Sequence, residues 1–351
     1  MRLYRKPGAA RSAAGRGRWR RPAAILAAAV ALALPLGKAG LPPARAAGEA
    51  LPTVESKTVC LLFSRDLEPY RVAVEGLKHR LCPPAEDPAL AAYTFTERTV
   101  TGMEVDALIE WLGEQRPDLI VTLGTEASKI AAVHARQTPV VFAMVANPID
   151  NGILPRRAHA GQLVCGVTTD VDPGEQFAVL KEALPQARRV GVIYCPQYTE
   201  ATVSAGGEAA RRAGLDLVRL AVEPYRVAPA IERLHGEGVD ALWTVTDPGV
   251  MVPSSARKIL TSALKARLPV LGFSPAMVRA GAVVGFGIEA RTIGRQAGDI
   301  AHAILREGKT PADVHLVYPH KVTRHVNLGV AERIGVRLPA PLLADAERVK
   351  E

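Results

Sequence analysis

The chain writes nearly the same pattern twice. Arg116-Pro-Asp-Leu-Ile-Val-Thr-Leu-Gly-Thr-Glu-Ala-Ser128, a helical stretch and Thr138-Pro-Val-Val-Phe-Ala-Met-Val145 are matched by Gly238-Val-Asp-Ala-Leu-Trp-Thr-Val-Thr-Asp247, a helix and Leu268-Pro-Val-Leu-Gly-Phe273. Each copy reads strand, polar turn, helix, proline, strand. The short apolar runs are those of parallel strands buried on both faces. Each run delivers Thr, Ser or Asp at its carboxyl end, where open α/β sheets receive ligands. A duplicated unit with polar strand tips predicts two Rossmann-like lobes with parallel sheets, facing each other across a cleft.

Strands and helices alternate through both halves, which implies parallel sheets. In the first half strands are expected at 58–63 and 92–97, with helices at 69–81 and 105–114. A Pro-rich turn covers 82–88, Asn151-Gly152 is a turn, and 161–169 carries the chain into the second half. There helices are expected at 177–184, 200–213 and 229–235, and strands at 189–194, 216–221 and 283–288. A helix over 291–306 returns to the first lobe. A strand near 314–320 and a tail over 328–349, interrupted by Pro339 and Pro341, complete the chain. The lobes are therefore expected at 57–167 plus 289–310 and at 168–288 plus 311–351.

Residues 1–46 hold ten of the 44 Lys and Arg and no acidic residue. A basic stretch to Arg21, an apolar core over 22–36 and the small-residue site Ala44-Arg45-Ala46 make the three parts of a cleaved secretory signal peptide. The core is short for a bilayer span. Export by the general route and a periplasmic location follow. Without this segment 34 basic residues face 35 acidic ones, so the pI of 9.6 belongs mainly to the leader. The body lacks the clustered cationic surplus that phosphate backbones or anionic membranes require, which argues against nucleic acid as a partner. Four cysteines, Cys60, Cys82, Cys165 and Cys195, have no metal-type spacing. Cys60 and Cys82 are the pair most easily bridged in an oxidising compartment, with buried thiols as the alternative.

Enzyme motifs are missing: there is no GxGxxG after a strand, no GxxxxGK[ST], no HExxH and no GxSxG. No catalytic residue, metal site or cofactor is expected. His315, His320 and His325 step by five, which suits neither a helix face nor a metal pair on one strand, and they read as solvated or capping residues. What remains is the set of polar strand tips: Ser64, Thr125 and Asn147 in the first half, and Gln197, Tyr198, Thr246, Asp247 and Ser274 in the second. Helix capping by Thr125, Asp247 and Ser274 is the bland alternative for each taken singly. Taken together they point to a small polar ligand. A helix N-terminus at Gly124-Thr125 suits a carboxylate and Asp247 suits an ammonium, the pair an amino-acid-like zwitterion needs.

The order and spacing of further motifs carry a resemblance. Pro117 to Ala127, Pro139 to Pro148, Leu184-Pro-Gln-Ala-Arg-Arg-Val-Gly-Val-Ile-Tyr194, Gly287-Ile-Glu with Ile293-Gly-Arg-Gln-Ala, and Asn327-Leu with Ile334-Gly-Val-Arg-Leu-Pro resemble the ABC-transporter substrate-binding proteins of the tryptophan-binding type, over about 57–349. The resemblance implies a type I periplasmic-binding-protein architecture, a hinged cleft with three crossovers, amino-acid ligands and an inner-membrane ABC permease as partner. It carries over to Thr125, Asn147, Thr246 and Asp247. The chain departs from that pattern at Ser64-Arg-Asp-Leu-Glu-Pro-Tyr70 and at Thr246-Asp247-Pro248, both expected in the cleft. The reading is an exported monomeric solute-binding protein. Its rivals are a sensor presenting its ligand to a receptor kinase, a two-domain α/β enzyme, and a sugar-responsive repressor, which would need a DNA-binding module where this chain carries its leader.

Overall fold

The computed structural model describes residues 55–83, 93–135 and 137–349. The expected signal peptide and most of the Pro-rich turn lie outside the described residues. The chain opens with β1 (Lys57–Phe63), α1 (Glu68–Leu81), β2 (Tyr93–Thr99), α2 (Val105–Gln115), β3 (Leu119–Leu123), α3 (Thr125–His134), β4 (Val140–Val145) and β5 (Val164–Thr168). It crosses to a second sheet through α4 (Pro173–Ala183), β6 (Arg189–Tyr194), α5 (Pro196–Arg212), β7 (Asp216–Ala221), α6 (Ala228–Gly236), β8 (Ala241–Trp243), α7 (Pro253–Lys265), β9 (Val270–Leu271), α8 (Pro275–Arg279) and β10 (Val284–Ile288). It returns with α9 (Ala290–Arg306), α10 (Pro311–Val314) and β11 (Leu316–Val317), and crosses a third time into β12 (Val322–Val326), α11 (Leu328–Ile334), α12 (Ala340–Ala344) and β13 (Ala346–Arg348).

The first sheet has the order β2-β1-β3-β4-β5-β11 and the second β7-β6-β8-β9-β10-β12-β13. Every pairing is parallel except β10 with β12. Each sheet is packed on both faces, by clusters around Leu61, Val121 and Ile293 and around Leu62, Ile120 and Phe142 in lobe one, and around Phe177, Val192 and Trp243 and around Ile193, Leu242 and Ile259 in lobe two. That double burial is why the strands read as continuous apolar runs.

The repeated aspartate has the same task in both copies. Asp118 Oδ2 accepts the Thr58 N–H at 2.8 Å, and Asp240 Oδ2 accepts the Arg188 and Arg189 N–H groups at 2.7 and 2.8 Å. Each carboxylate thus ties the start of its own strand to the start of the neighbouring first strand. The backbone bonds, with Arg189 and Arg188 nearby, hold the Asp240 carboxyl below its usual range.

Two expectations change, and one open choice, between a bridge and thiols, is decided. The lobe boundary at 311 moves, because β11 pairs with Gly166 and Val167 of the first sheet, so the third crossing lies beyond Val317. His315 takes a left-handed turn at φ 56°, bonds Gln162 and swings the short strand onto β5, which also shortens the strand expected over 314–320. Gln296 of α9 holds the crossing itself, its Nε2 donating to the Tyr318 carbonyl and its Oε1 accepting the His320 N–H. The Cys60–Cys82 bridge is not formed. Cys60 is a buried thiol whose Sγ lies 3.1 Å from Thr96 Oγ1 on β2. Among the described residues no helix is long and apolar enough to cross a membrane.

Candidate functional site

The strand tips of the two sheets meet at a cavity of about 70 Å³. Asn147, Pro148 and Ile149 after β4, Thr169 and Asp170 after β5, and Leu316 and Tyr318 line it from the first sheet and its crossings; Gln176, Thr202, Trp243 to Thr246, Phe273 and Phe286 line it from the second. Phe177 supports Trp243 with ring centroids 5.0 Å apart, and the indole N–H donates to Gln176 Oε1 at 2.8 Å. Gln176 Nε2 in turn donates to the Val171 carbonyl. The indole N–H and the Gln176 amide behind this lining are thus both engaged within the protein. Gly206 of α5 leaves the space the indole fills, since a Cβ there would collide with its six-membered ring.

Several hydrogen bonds cross directly between the lobes. Asn147 adopts φ 46°, a left-handed conformation that asparagine tolerates better than most residues. Its N–H donates to Asp170 Oδ2, its Nδ2 to the Thr246 carbonyl at 2.6 Å, and its Oδ1 accepts the Thr202 hydroxyl at 3.0 Å. Asp150, three residues on, accepts the Ala201 N–H at 2.6 Å, the Thr202 N–H at 3.0 Å and the Thr202 hydroxyl at 2.8 Å. These amides are free to donate because α5 breaks at Thr199, with φ −145° and ψ 25°, so that a second helical segment starts there. Its N-terminal cap comes from the other lobe.

Asp170 is the carboxylate that faces the cavity. Oδ2 accepts the Asn147 N–H at 2.7 Å and the Thr168 hydroxyl at 2.6 Å, and Oδ1 has no hydrogen-bond partner among the described residues. Burial pushes its carboxyl up to about 6, with Asp150 adding to the rise and the bonds from Thr168 and Asn147 opposing it. The Tyr318 phenol is pushed up to about 12 by burial and by the charges of Asp172 and Asp170.

Of the eight tips expected to bind, the structure brings Asn147 and Thr246 to the cavity. Ser64 instead accepts the Ala127 N–H at 2.9 Å and caps α3 from the neighbouring strand. It sits with Tyr70 so close to Gly124, at φ 89°, that only glycine fits there. Thr125 starts α3, half-buried and off the cavity lining. Ser274 caps α8 through Met277 N. Gln197 is exposed, and the Tyr198 ring packs beside Gly249.

Asp247 departs most from expectation. Its Oδ2 accepts Cys195 N at 2.7 Å and the Thr199 hydroxyl at 2.5 Å, and its Oδ1 accepts Gly249 N at 2.8 Å and Val250 N at 3.1 Å. Four donors of its own lobe occupy it, and it is absent from the cavity lining. The sequence signal for Asp170 was there to be read: Thr168-Thr169-Asp170 ends a buried strand as the other polar tips do, but the segment serves first as the crossing between lobes.

Comparison with known proteins agrees with this geometry. The family of ABC transporter substrate binding proteins matches residues 92–350. This chain belongs to that family. A tyrosine-binding protein of Clostridioides difficile (strain R20291) is 24% identical over 202 residues, and the match spans 57% of each chain, little more than half the length of that relative. Among solved structures, the ABC domain of Streptococcus pneumonia in complex with L-Trp is 20% identical with a TM-score of 0.58, over 84% of this chain and 100% of that one. A ligand-free, open substrate binding protein with adhesive properties from Clostridium difficile is also 20% identical, with a TM-score of 0.64 over 84% and 99%. At such identities the structures speak for the fold, which is the two-lobed type I periplasmic-binding-protein architecture.

Proposed function

We propose that the chain is an exported, monomeric solute-binding protein of an ABC-type uptake system. The leader directs it to the periplasm. The lobes close on a small polar solute of the amino-acid class or an analogue of one, and the closed protein delivers it to an inner-membrane permease. No catalytic step, cofactor or nucleic acid enters this role. The observation that carries the reading is the cavity walled by both lobes, whose lining combines aromatic side chains with the Asp170 carboxylate. An apolar body and one ionic anchor suit such a wall, and the family and its tyrosine-binding relative support the assignment.

The direct test is a thermal-shift screen of the purified protein against amino acids, amines and small aromatic acids. A ligand that binds only the folded form, at a hundred times its Kd, adds about 2.7 kcal/mol of stability. A saturable rise in melting temperature with at least one member is expected. No rise with any member would overturn the reading.

A further inference from the structure

The cavity has an unusual charge balance. One carboxylate, Asp170, lines it, and among the described residues no Lys or Arg does. Free N–H groups at helix starts are where a solute's carboxylate is ordinarily received. Here the starts of α4 and of the second segment of α5, both at lining residues, are already taken by protein carboxylates. Asp172 accepts Gly174 N and Glu175 N at the start of α4. Asp150 holds Ala201 N and Thr202 N at the second start of α5, Asp247 holds Cys195 N, Gly249 N and Val250 N, and Asp170 holds Asn147 N.

The side-chain donors are committed in the same way. The Thr202 hydroxyl goes to Asp150 and Asn147, the Thr244 hydroxyl to the Leu271 carbonyl, and the Trp243 indole to Gln176. Thr169, Thr246 and Tyr318 remain, all neutral. An anionic group entering this space would meet the Asp170 carboxylate, with no lining cation to offset its desolvation. A cation would meet the Asp170 carboxylate beside the aromatic side chains of the same lining.

We infer that the closed cavity takes an organic amine, a solute with an ammonium group on an apolar body and no carboxylate, its nitrogen seated on Asp170. The inference rests on the solute-binding reading above and narrows its ligand to the decarboxylated counterpart of an amino acid. Charge selection lies in carboxylates that belong to the fold, each excluding an anion from the backbone donors it caps.

Isothermal titration of the full protein with two matched series tests this. One comprises tyramine, tyrosine and 3-(4-hydroxyphenyl)propanoate, the other isobutylamine, valine and 3-methylbutanoate, so that ammonium and carboxylate are removed one at a time from a large and a small body. In at least one series the amine should bind ten-fold or more tightly than the amino acid, and the acid should give no heat. Asp170→Asn should abolish amine binding while the melting temperature is kept or raised, because a buried charge is removed. Tyrosine or valine binding more tightly than its amine would overturn the inference and leave the solute-binding reading standing. Silence from all six compounds would overturn the inference, while the solute-binding reading falls only if the wider thermal-shift screen is silent as well.

Discussion

Asp247 uses both carboxylate oxygens inside its own lobe, tying the end of β6 at Cys195 and the break of α5 at Thr199 to the turn at Gly249 and Val250. Replacing it with asparagine puts an NH2 group against two donors. Asp247→Asn should therefore cost about 1–3 kcal/mol of stability, the penalty for leaving buried donors unmet. Ligand affinity at 25 °C should stay within about threefold, since the side chain is off the cavity lining. A melting curve beside a titration of the variant separates the two effects, and a hundred-fold loss of affinity in a protein of unchanged stability would show instead that Asp247 contacts the ligand. Sequence reasoning finds such residues but not their allegiance. A polar strand tip announces that backbone donors lie near it; whether its oxygens face those donors or the cleft depends on the next turn, and Asp170 and Asp247 resolve that choice in opposite ways.

The long helices α1 and α9 pack at close range because their contact face is made of small residues. A Cβ on Gly294 would run into the Ala73 carbonyl and one on Gly76 into the Arg291 carbonyl, backbone atoms that cannot swing aside. Gly294→Ala should destabilise lobe one by about 1–3 kcal/mol, the range for overpacking, partly offset by the better helix propensity of alanine. Chemical denaturation with an unchanged m-value checks it, and a variant as stable as the parent would mean that the helices separate freely. At this scale most of the molecule was legible. The runs 119–123 and 140–145 declare buried parallel strands by apolar content alone. Val322-Thr-Arg-His-Val326 did not, because a half-buried antiparallel strand with polar residues inside carries only a weak alternation. The two-residue β11 and three-residue β13 are made by pairing with β5 and β12, long-range contacts that no local pattern encodes.

Across the whole molecule the two lobes meet through a latch that needs no solute. Asp150 reaches from the tip of β4 to cap the second segment of α5, and Asn147 bridges to Thr246 and Thr202. The crossings after Thr168, after Ile288 and between Val317 and Val322 are the places where the backbone can absorb a rotation. When the lobes part, the Ala201 and Thr202 amides and the Asp150 carboxylate return to water, so the latch biases the open–closed equilibrium rather than the fold. A charged cap of this kind contributes about 1–2 kcal/mol, equivalent to roughly 5–30-fold in that equilibrium. Solute affinity scales with the fraction of protein already able to close. Asp150→Ala should therefore raise the radius of gyration of the solute-free protein in small-angle scattering and weaken solute binding by up to that factor. Saturating solute should restore the compact profile, because Asp170, the aromatic lining and the hinges are untouched. A scattering profile and an affinity both identical to the parent's would show that the lobes are held together without this latch.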